Sequence, residues 1–243
     1  ITGDASGYLT YRPGTSDPLV YGAPVFLREN GRIFHRTAGT TGSIQGPQEA
    51  RWGYLQPTLG DWDGDGRNEI ITNDIKGELL LLTPAGDPAE VNAAPFTLNG
   101  KPLPAAWRVR PAILPAKYNF MGKGVPVLLY LDYDGDLAAA VPVRTGSAEI
   151  AESVKLRDVQ GNPVRLCGIR GHWGRAKLAV ADFDRDGRWD LVWGHNASVY
   201  RDIWPDRANL PAGATLAFSR NTGSNAEPRF VAAREIVAKD GTR

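Results

Sequence analysis

Nine residues, Asp61-Trp62-Asp63-Gly64-Asp65-Gly66-Arg67-Asn68-Glu69, constrain this chain more than any other stretch, because their pattern recurs. It returns as Asp182-Phe183-Asp184-Arg185-Asp186-Gly187-Arg188-Trp189-Asp190, and in reduced form as Asp132-Tyr133-Asp134-Gly135-Asp136. Acids at positions one, three, five and nine, with glycine at six, describe a loop that wraps a hard cation in oxygen. Four carboxylates crowded together without a cation would repel one another strongly. The expected ligands are Asp61, Asp63, Asp65 and Glu69 with the Arg67 carbonyl, and Asp182, Asp184, Asp186 and Asp190 with the Arg188 carbonyl. Asp132, Asp134 and Asp136 form a weaker third set, since Leu137 replaces the glycine and Ala140 the ninth-position acid. The ion expected is Ca2+.

The flanks decide what kind of loop this is. A helix-loop-helix calcium site carries a bidentate Glu at position twelve and runs into a helix. Position twelve here is Thr72 or Trp193, and the following runs, Ile70-Ile71-Thr72 and Leu191-Val192-Trp193, read as buried strands.

The copies extend beyond the loops. Trp52-Gly53 and Trp173-Gly174 precede their loops by the same distance, and position two is aromatic in all three: Trp62, Tyr133 and Phe183. Proline–aromatic signals recur at Pro24-Val25-Phe26, Pro95-Phe96 and Pro228-Arg229-Phe230. Turn dipeptides follow at Asn30-Gly31, Asn99-Gly100 and Asp240-Gly241, with Gln160-Gly161 a weaker relative. The period is about sixty residues, within the range of repeat architectures. Short strands punctuated by Gly and Pro predict an all-β propeller of four-stranded antiparallel blades, about three to four of them, as part of a larger propeller. The approximate repeats are 1–50, 51–117, 118–170 and 171–243 of a single domain. A β-sandwich is the structural alternative, but it does not account for the fixed order of signals within each repeat.

The stretches "DWDGDGRNEI", "DFDRDGRWDL", "GDASGYLTY" and "SRNTGSNAEPRF" resemble the FG-GAP/VCBS repeat family, the calcium-loop propeller blades also found in integrin α-subunit heads. The resemblance covers nearly the whole chain. It implies calcium, but leaves activity open: similar proteins include adhesion heads, fungal lectins and bacterial polysaccharide lyases.

Composition adds bounds. The chain is 42% hydrophobic and 23% charged with a formal net charge of +1, so it has apolar content for a core and no bias toward nucleic acid. No apolar run reaches membrane-spanning length. Cys167 is the single cysteine and its apolar flanks predict a buried small side chain. Extracellular or cell-surface placement rests on the calcium loops.

Three functions fit. The first is a recognition module that binds glycan or protein through loops on one propeller face. Arg51, Trp52 and Tyr54, and the aligned His172, Trp173 and Arg175, are the candidate ligand residues: an indole offers a flat face to a sugar, and a cation takes its carboxylate. The second is part of a lyase or glycosidase for acidic glycans, in which the same residues supply base and carboxylate partner. The third is a structural repeat of a filament or surface layer. Further chain segments or copies are expected to complete the propeller, because an arc of blades leaves sheet edges open.

Overall fold

The run Glu69–Asn73 is buried at every position, as are Val127–Leu131 and Leu137–Pro142. A strand buried on both faces must lie between two layers, so these segments are inner strands packed against neighbouring sheets. The computed structural model describes residues 1–42, 47–166, 175–196 and 214–238. It is all-β: four small antiparallel sheets arranged as a four-blade β-propeller. Among the described residues, no helix is long and apolar enough to cross a membrane.

Blade I contributes Thr2–Gly3, Leu9–Tyr11 and Val25–Phe26. Blade II is a meander of Gln56–Gly60, Glu69–Asn73, Leu79–Ala85 and Asp87–Pro95. Blade III follows with Ala112–Leu114, Val127–Leu131, Leu137–Pro142 and Glu149–Lys155. Blade IV has Lys177–Ala181, Asp190–Asn196 and Ala214–Ser219, and its outer strand is split into Arg229–Phe230 and Arg234–Glu235. The strand Ala112–Leu114 falls within the expected second repeat but opens blade III, so that repeat boundary moves toward the N-terminus.

Beyond the outer strands of blades I, II and III the chain makes a small hairpin that leaves its own blade. Asn30-Gly31 and Asn99-Gly100 turn two of these with positive φ at both residues, as the dipeptide signals require. Each hairpin pairs in parallel with the outer strand of the next blade: Arg28 with Glu90, Thr97 with Glu149, and Arg157 with Arg229. Apolar residues fill the space beneath. Leu27 and Phe34 join Val91, Phe96 and Leu103 join Ile150, and Leu156 and Leu166 join Phe230. Consecutive blades are thus tied both by apolar packing and by backbone pairing.

The proline–aromatic signals do not share one register. Phe96 follows its outer strand and donates its amide to Leu79, whereas Phe230 lies inside an outer strand, paired with Asn221 across the blade. The buried residue that matches Phe96 in blade I is Leu27, which bonds Leu9 in the same way, and Phe26 is half exposed.

Candidate metal centres

Antiparallel strands put the loop between first and second strands at one end of a blade and the turn between second and third strands at the other. In blade II the first kind of loop is Asp61–Asn68, closed by the pair Gly60–Glu69. In blade IV it is Asp182–Trp189, closed by Ala181–Asp190. Both acidic nonapeptides therefore occupy equivalent places on one face of the propeller.

Within them, positions one, three and nine converge. Oxygen atoms of Asp61, Asp63 and Glu69 lie within 4.8 Å of one another, and those of Asp182, Asp184 and Asp190 do the same. Turn hydrogen bonds build the cage. Asp61 accepts the amides of Gly64 (2.7 Å) and Gly66 (3.1 Å), and Asp182 accepts those of Asp186 (2.9 Å) and Gly187 (3.0 Å). Gly64, Gly66 and Gly187 have the left-handed backbone expected of such bends, and Arg185 takes it where the first copy has Gly64.

The ninth-position acids are the buried ones, with Glu69 at 3% and Asp190 at 0% exposure. Burial pushes both carboxyls above the usual carboxylate range. Backbone amides partly compensate: Trp62 donates to Glu69 at 2.8 Å, and Phe183 and Asn221 donate to Asp190 at 3.1 and 2.8 Å. Two further carboxylates beside a buried one form a donor set of hard oxygens that suits a divalent cation.

The fifth-position acids are placed differently from the sequence expectation. Asp65 is gripped by the Arg67 guanidinium at 2.9 and 2.7 Å, and these hydrogen bonds hold its pKa down. Asp186 is held by Arg188 and by Arg220, whose Nη2 lies 2.9 Å away. Burial works to raise the Asp186 pKa, but the Arg188 amide and the two arginine side chains outweigh it and lower it. Arg220 also reaches Asp184 at 2.6 Å. In each loop the structure thus gathers three carboxylates and engages the fourth with arginine, and in blade IV Arg220 also engages Asp184, one of the gathered three. Arg220 was legible only as part of a repeat signature, since it approaches from another strand.

Each loop is anchored by one tryptophan, at different positions. Trp62, at position two, is fully buried; its indole N–H donates to Ser147 and its carbonyl accepts from Gly146, both in blade III. Gly146 sits at φ 80°, and a Cβ there would lie 2.9 Å from the Cβ of Asp63, so this approach needs glycine. In blade IV, Phe183 at position two is 51% exposed, and Trp189 at position eight is the buried anchor, donating to the Asn225 carbonyl at 3.0 Å.

The third acidic set is a different structure. Asp132–Asp136 is the turn between the second and third strands of blade III, on the opposite face from the other two. Its bonds match those of Asp74–Glu78 and Asp4–Tyr8: the first Asp accepts the amide four residues on, at 3.0, 2.9 and 2.9 Å. The true counterpart of the acidic loops in blade III is residues 115–126, which contain no acid at all. Oxygens of Asp132, Asp134 and Asp136 do converge, but the Lys155 ammonium lies 3.2, 2.9 and 2.7 Å from them. Arg165 adds a 2.8 Å bond to Asp136. Hydrogen bonding to Asp136 leads the effects that raise the Lys155 pKa. An ion could enter only by displacing this lysine.

The same face carries the candidate ligand residues. Tyr54, Arg108 and Arg175 all have left-handed backbones. They occupy equivalent positions ahead of the first strands of blades II, III and IV. The Arg108 guanidinium lies 3.4 Å from the Tyr54 ring centre and 4.2 Å from that of Trp107, and Arg175 lies 5.7 Å from Trp107. Arg108 is buried and bonds Glu49 at 2.7 Å. Arg51 is exposed, 5.0 Å from the ring of the half-buried Trp52. Trp107 and Arg108 were missed in the sequence, where no acidic loop follows them to mark the register. His172, Trp173 and Cys167 lie outside the described residues, and the side chain of His195 does as well.

Beneath this cluster Asp74 is fully buried. Its Oδ1 accepts the amides of Lys76 (2.8 Å) and Glu78 (2.9 Å), while Oδ2 has no hydrogen-bond partner. Burial raises its pKa to about 6. The folded state therefore holds this proton more tightly than the unfolded chain, whose carboxyl titrates at 3.8. The stabilisation is complete below the unfolded value and is lost as pH rises through the folded one. Asp74→Asn is expected to gain on the order of 2 kcal/mol relative to the parent between about pH 4 and pH 7. Urea titrations of both proteins across that range measure the difference; a gap that does not change with pH would refute the assignment.

A scan against protein-family models finds no match for this sequence, and a search of curated proteins finds none either.

Proposed function

We propose that this chain is a calcium-braced propeller of the FG-GAP/VCBS type that works outside the cell as a non-catalytic recognition module for acidic glycans. The observation that carries the reading is the pair of equivalent acidic loops, each with three converging carboxylates of which one is buried. Such a carboxylate cluster is unfavourable without positive charge, which Arg220 supplies in part at Asp184 of the second loop, and an all-oxygen donor set favours calcium over softer metals. Loops of this openness fill at the calcium concentrations found outside cells, which supports extracellular placement.

The ligand-reading face in this proposal is the one opposite the acidic loops. There the exposed Arg51 lies beside the half-buried rings of Trp52 and Tyr54, with Arg175 nearby against the buried Trp107. A sugar ring can lie on the aromatic surface while its carboxylate meets a guanidinium. Arg108 belongs to the framework, because its guanidinium is already committed to Glu49 and two rings.

A glycan array comparing uronic acid-containing and neutral oligosaccharides tests this reading. Acidic glycans are expected to bind, and Arg51→Ala to weaken them by roughly 1.5–3 kcal/mol, the worth of one charge-assisted hydrogen bond. Equal retention of neutral and acidic sugars, or indifference to Arg51→Ala, would overturn the glycan assignment. Release of unsaturated uronic products in an ultraviolet assay would replace it with a lyase.

A further inference from the structure

The three joints made by these hairpins repeat one backbone pairing but not one charge pattern. At the first, Arg28 of the hairpin stands opposite Glu90 of the next outer strand, with its Nε 3.8 Å from the carboxylate. At the second, Thr97 stands opposite Glu149. At the third, Arg157 stands opposite Arg229. The hairpin of blade III thus meets a cation where the other two meet a glutamate. Like charges directly opposite each other in a sheet are destabilising.

Neither guanidinium has an acid partner among the described residues. Arg157 donates to the Gly161 carbonyl at 2.6 Å, and Arg229 to that of Pro228 at 3.1 Å. Paired residues of adjacent strands share a face, and neighbouring strands lie about 5 Å apart. The next pair, Asp158 with Phe230, faces the other way, and Phe230 is buried. Arg157 and Arg229 therefore project together, and both line a cavity of about 530 Å³ between blades III and IV. Phe120 and Met121, from the loop at residues 115–126, and Pro228 supply apolar wall. Lys155 also borders the cavity, but the Asp132 turn already holds its ammonium. Glu227 lies on the rim and pairs with neither arginine.

We propose that this cavity binds a phosphate monoester carried on a sugar, with Arg157 and Arg229 gripping the phosphate together. Two adjacent guanidiniums call for two negative charges in one group. A phosphate monoester carries about −1.5 to −2 at pH 7, whereas a carboxylate or a sulfate ester carries a single charge. The arginine fork also matches phosphate oxygens in geometry. The volume falls within the range of small-ligand pockets, roughly 300–1,000 Å³, and leaves room for a sugar ring beside Phe120, Met121 and Pro228. Because the loop at 115–126 is the blade III counterpart of the acidic loops, this site is separate from the face that carries Arg51.

Calorimetric titration of the full chain compares glucose 6-phosphate, glucose 6-sulfate, glucuronate and inorganic phosphate at equal ionic strength. Glucose 6-phosphate is expected to bind most tightly, and Arg157→Gln and Arg229→Gln each to weaken it by about tenfold, the loss of one charge-assisted contact. Arg229→Glu recreates the charge pattern of the first joint. It is expected to abolish binding and to melt above the parent in phosphate-free buffer. No binding of glucose 6-phosphate at millimolar concentration would overturn the proposal, as would equal affinity for the sulfate or the carboxylate. Binding untouched by both glutamine variants would place the phosphate elsewhere and overturn it too. Inorganic phosphate held as tightly as the sugar phosphate would refute the sugar assignment. An Arg229→Glu protein that folds but melts below the parent would refute the unrelieved repulsion from which the site is argued.

Discussion

Removing divalent cations with EGTA is expected to lower the melting temperature by roughly 10–20 °C. A ligand at a hundred times its dissociation constant stabilises a fold by about 2.7 kcal/mol, and each kcal/mol moves the midpoint of a domain this size by about 2–4 °C. Two loaded loops give the sum. Without an ion, each loop keeps a buried carboxylate, Glu69 or Asp190, beside two others. Asp63→Ala and Asp184→Ala are each expected to remove about half of the chelator effect. Asp134→Ala is expected to leave it intact, because Lys155 already neutralises that turn. Calorimetry with and without EGTA reads all four proteins. A parent melting point that ignores the chelator would remove the calcium reading, and equal effects of all three substitutions would remove the distinction between the two faces.

Trp62→Ala is expected to cost about 3–5 kcal/mol, the range for deleting a large buried aromatic side chain. Trp62 is fully buried, packs edge-on against Phe96 at 5.6 Å and donates its indole N–H to Ser147. The substitution leaves a cavity between blades II and III and an unpaired carbonyl, and it loosens the loop that holds Asp61 and Asp63. Phe183→Ala, at the same place in the second loop, is expected to cost much less because that ring is half exposed against Phe218. Chemical denaturation compares the two. Equal losses would mean that position two of the loop matters in itself, and that burial does not decide the cost.

Much of the fold was legible because its signals are local. Asn30-Gly31 and Asn99-Gly100 specify hairpin turns through their own backbone preferences, and the structure shows positive φ at all four residues. The two complete loops were equally plain, since the nine residues that gather each carboxylate cluster are contiguous. The propeller followed from repetition of these units.

The misplaced register of blade III has one cause. Asp132-Tyr133-Asp134-Gly135-Asp136 has the lettering of half an acidic loop, but an aspartate that accepts the amide four residues on makes the same short pattern in a tight turn. Only strand pairing shows that the preceding segment, Val127–Leu131, is a second strand and not a first. That shift hid residues 115–126 as the loop of blade III. It also hid Trp107 and Arg108 as counterparts of Gly53 and Tyr54.

By itself, the sequence determined what each short segment prefers: where the chain turns, which runs are buried strands, and which loops are rich enough in oxygen to hold a cation. Only the tertiary structure decided what those segments meet. Lys155 reaches the Asp132 turn from another strand, Arg220 reaches Asp184 and Asp186 likewise, and each hairpin pairs with the blade after its own. The physical reason is range. Turn dihedrals and loop ligands are set by bonded neighbours, whereas burial of Val91, Ile150 and Phe230 depends on a surface supplied by residues far along the chain.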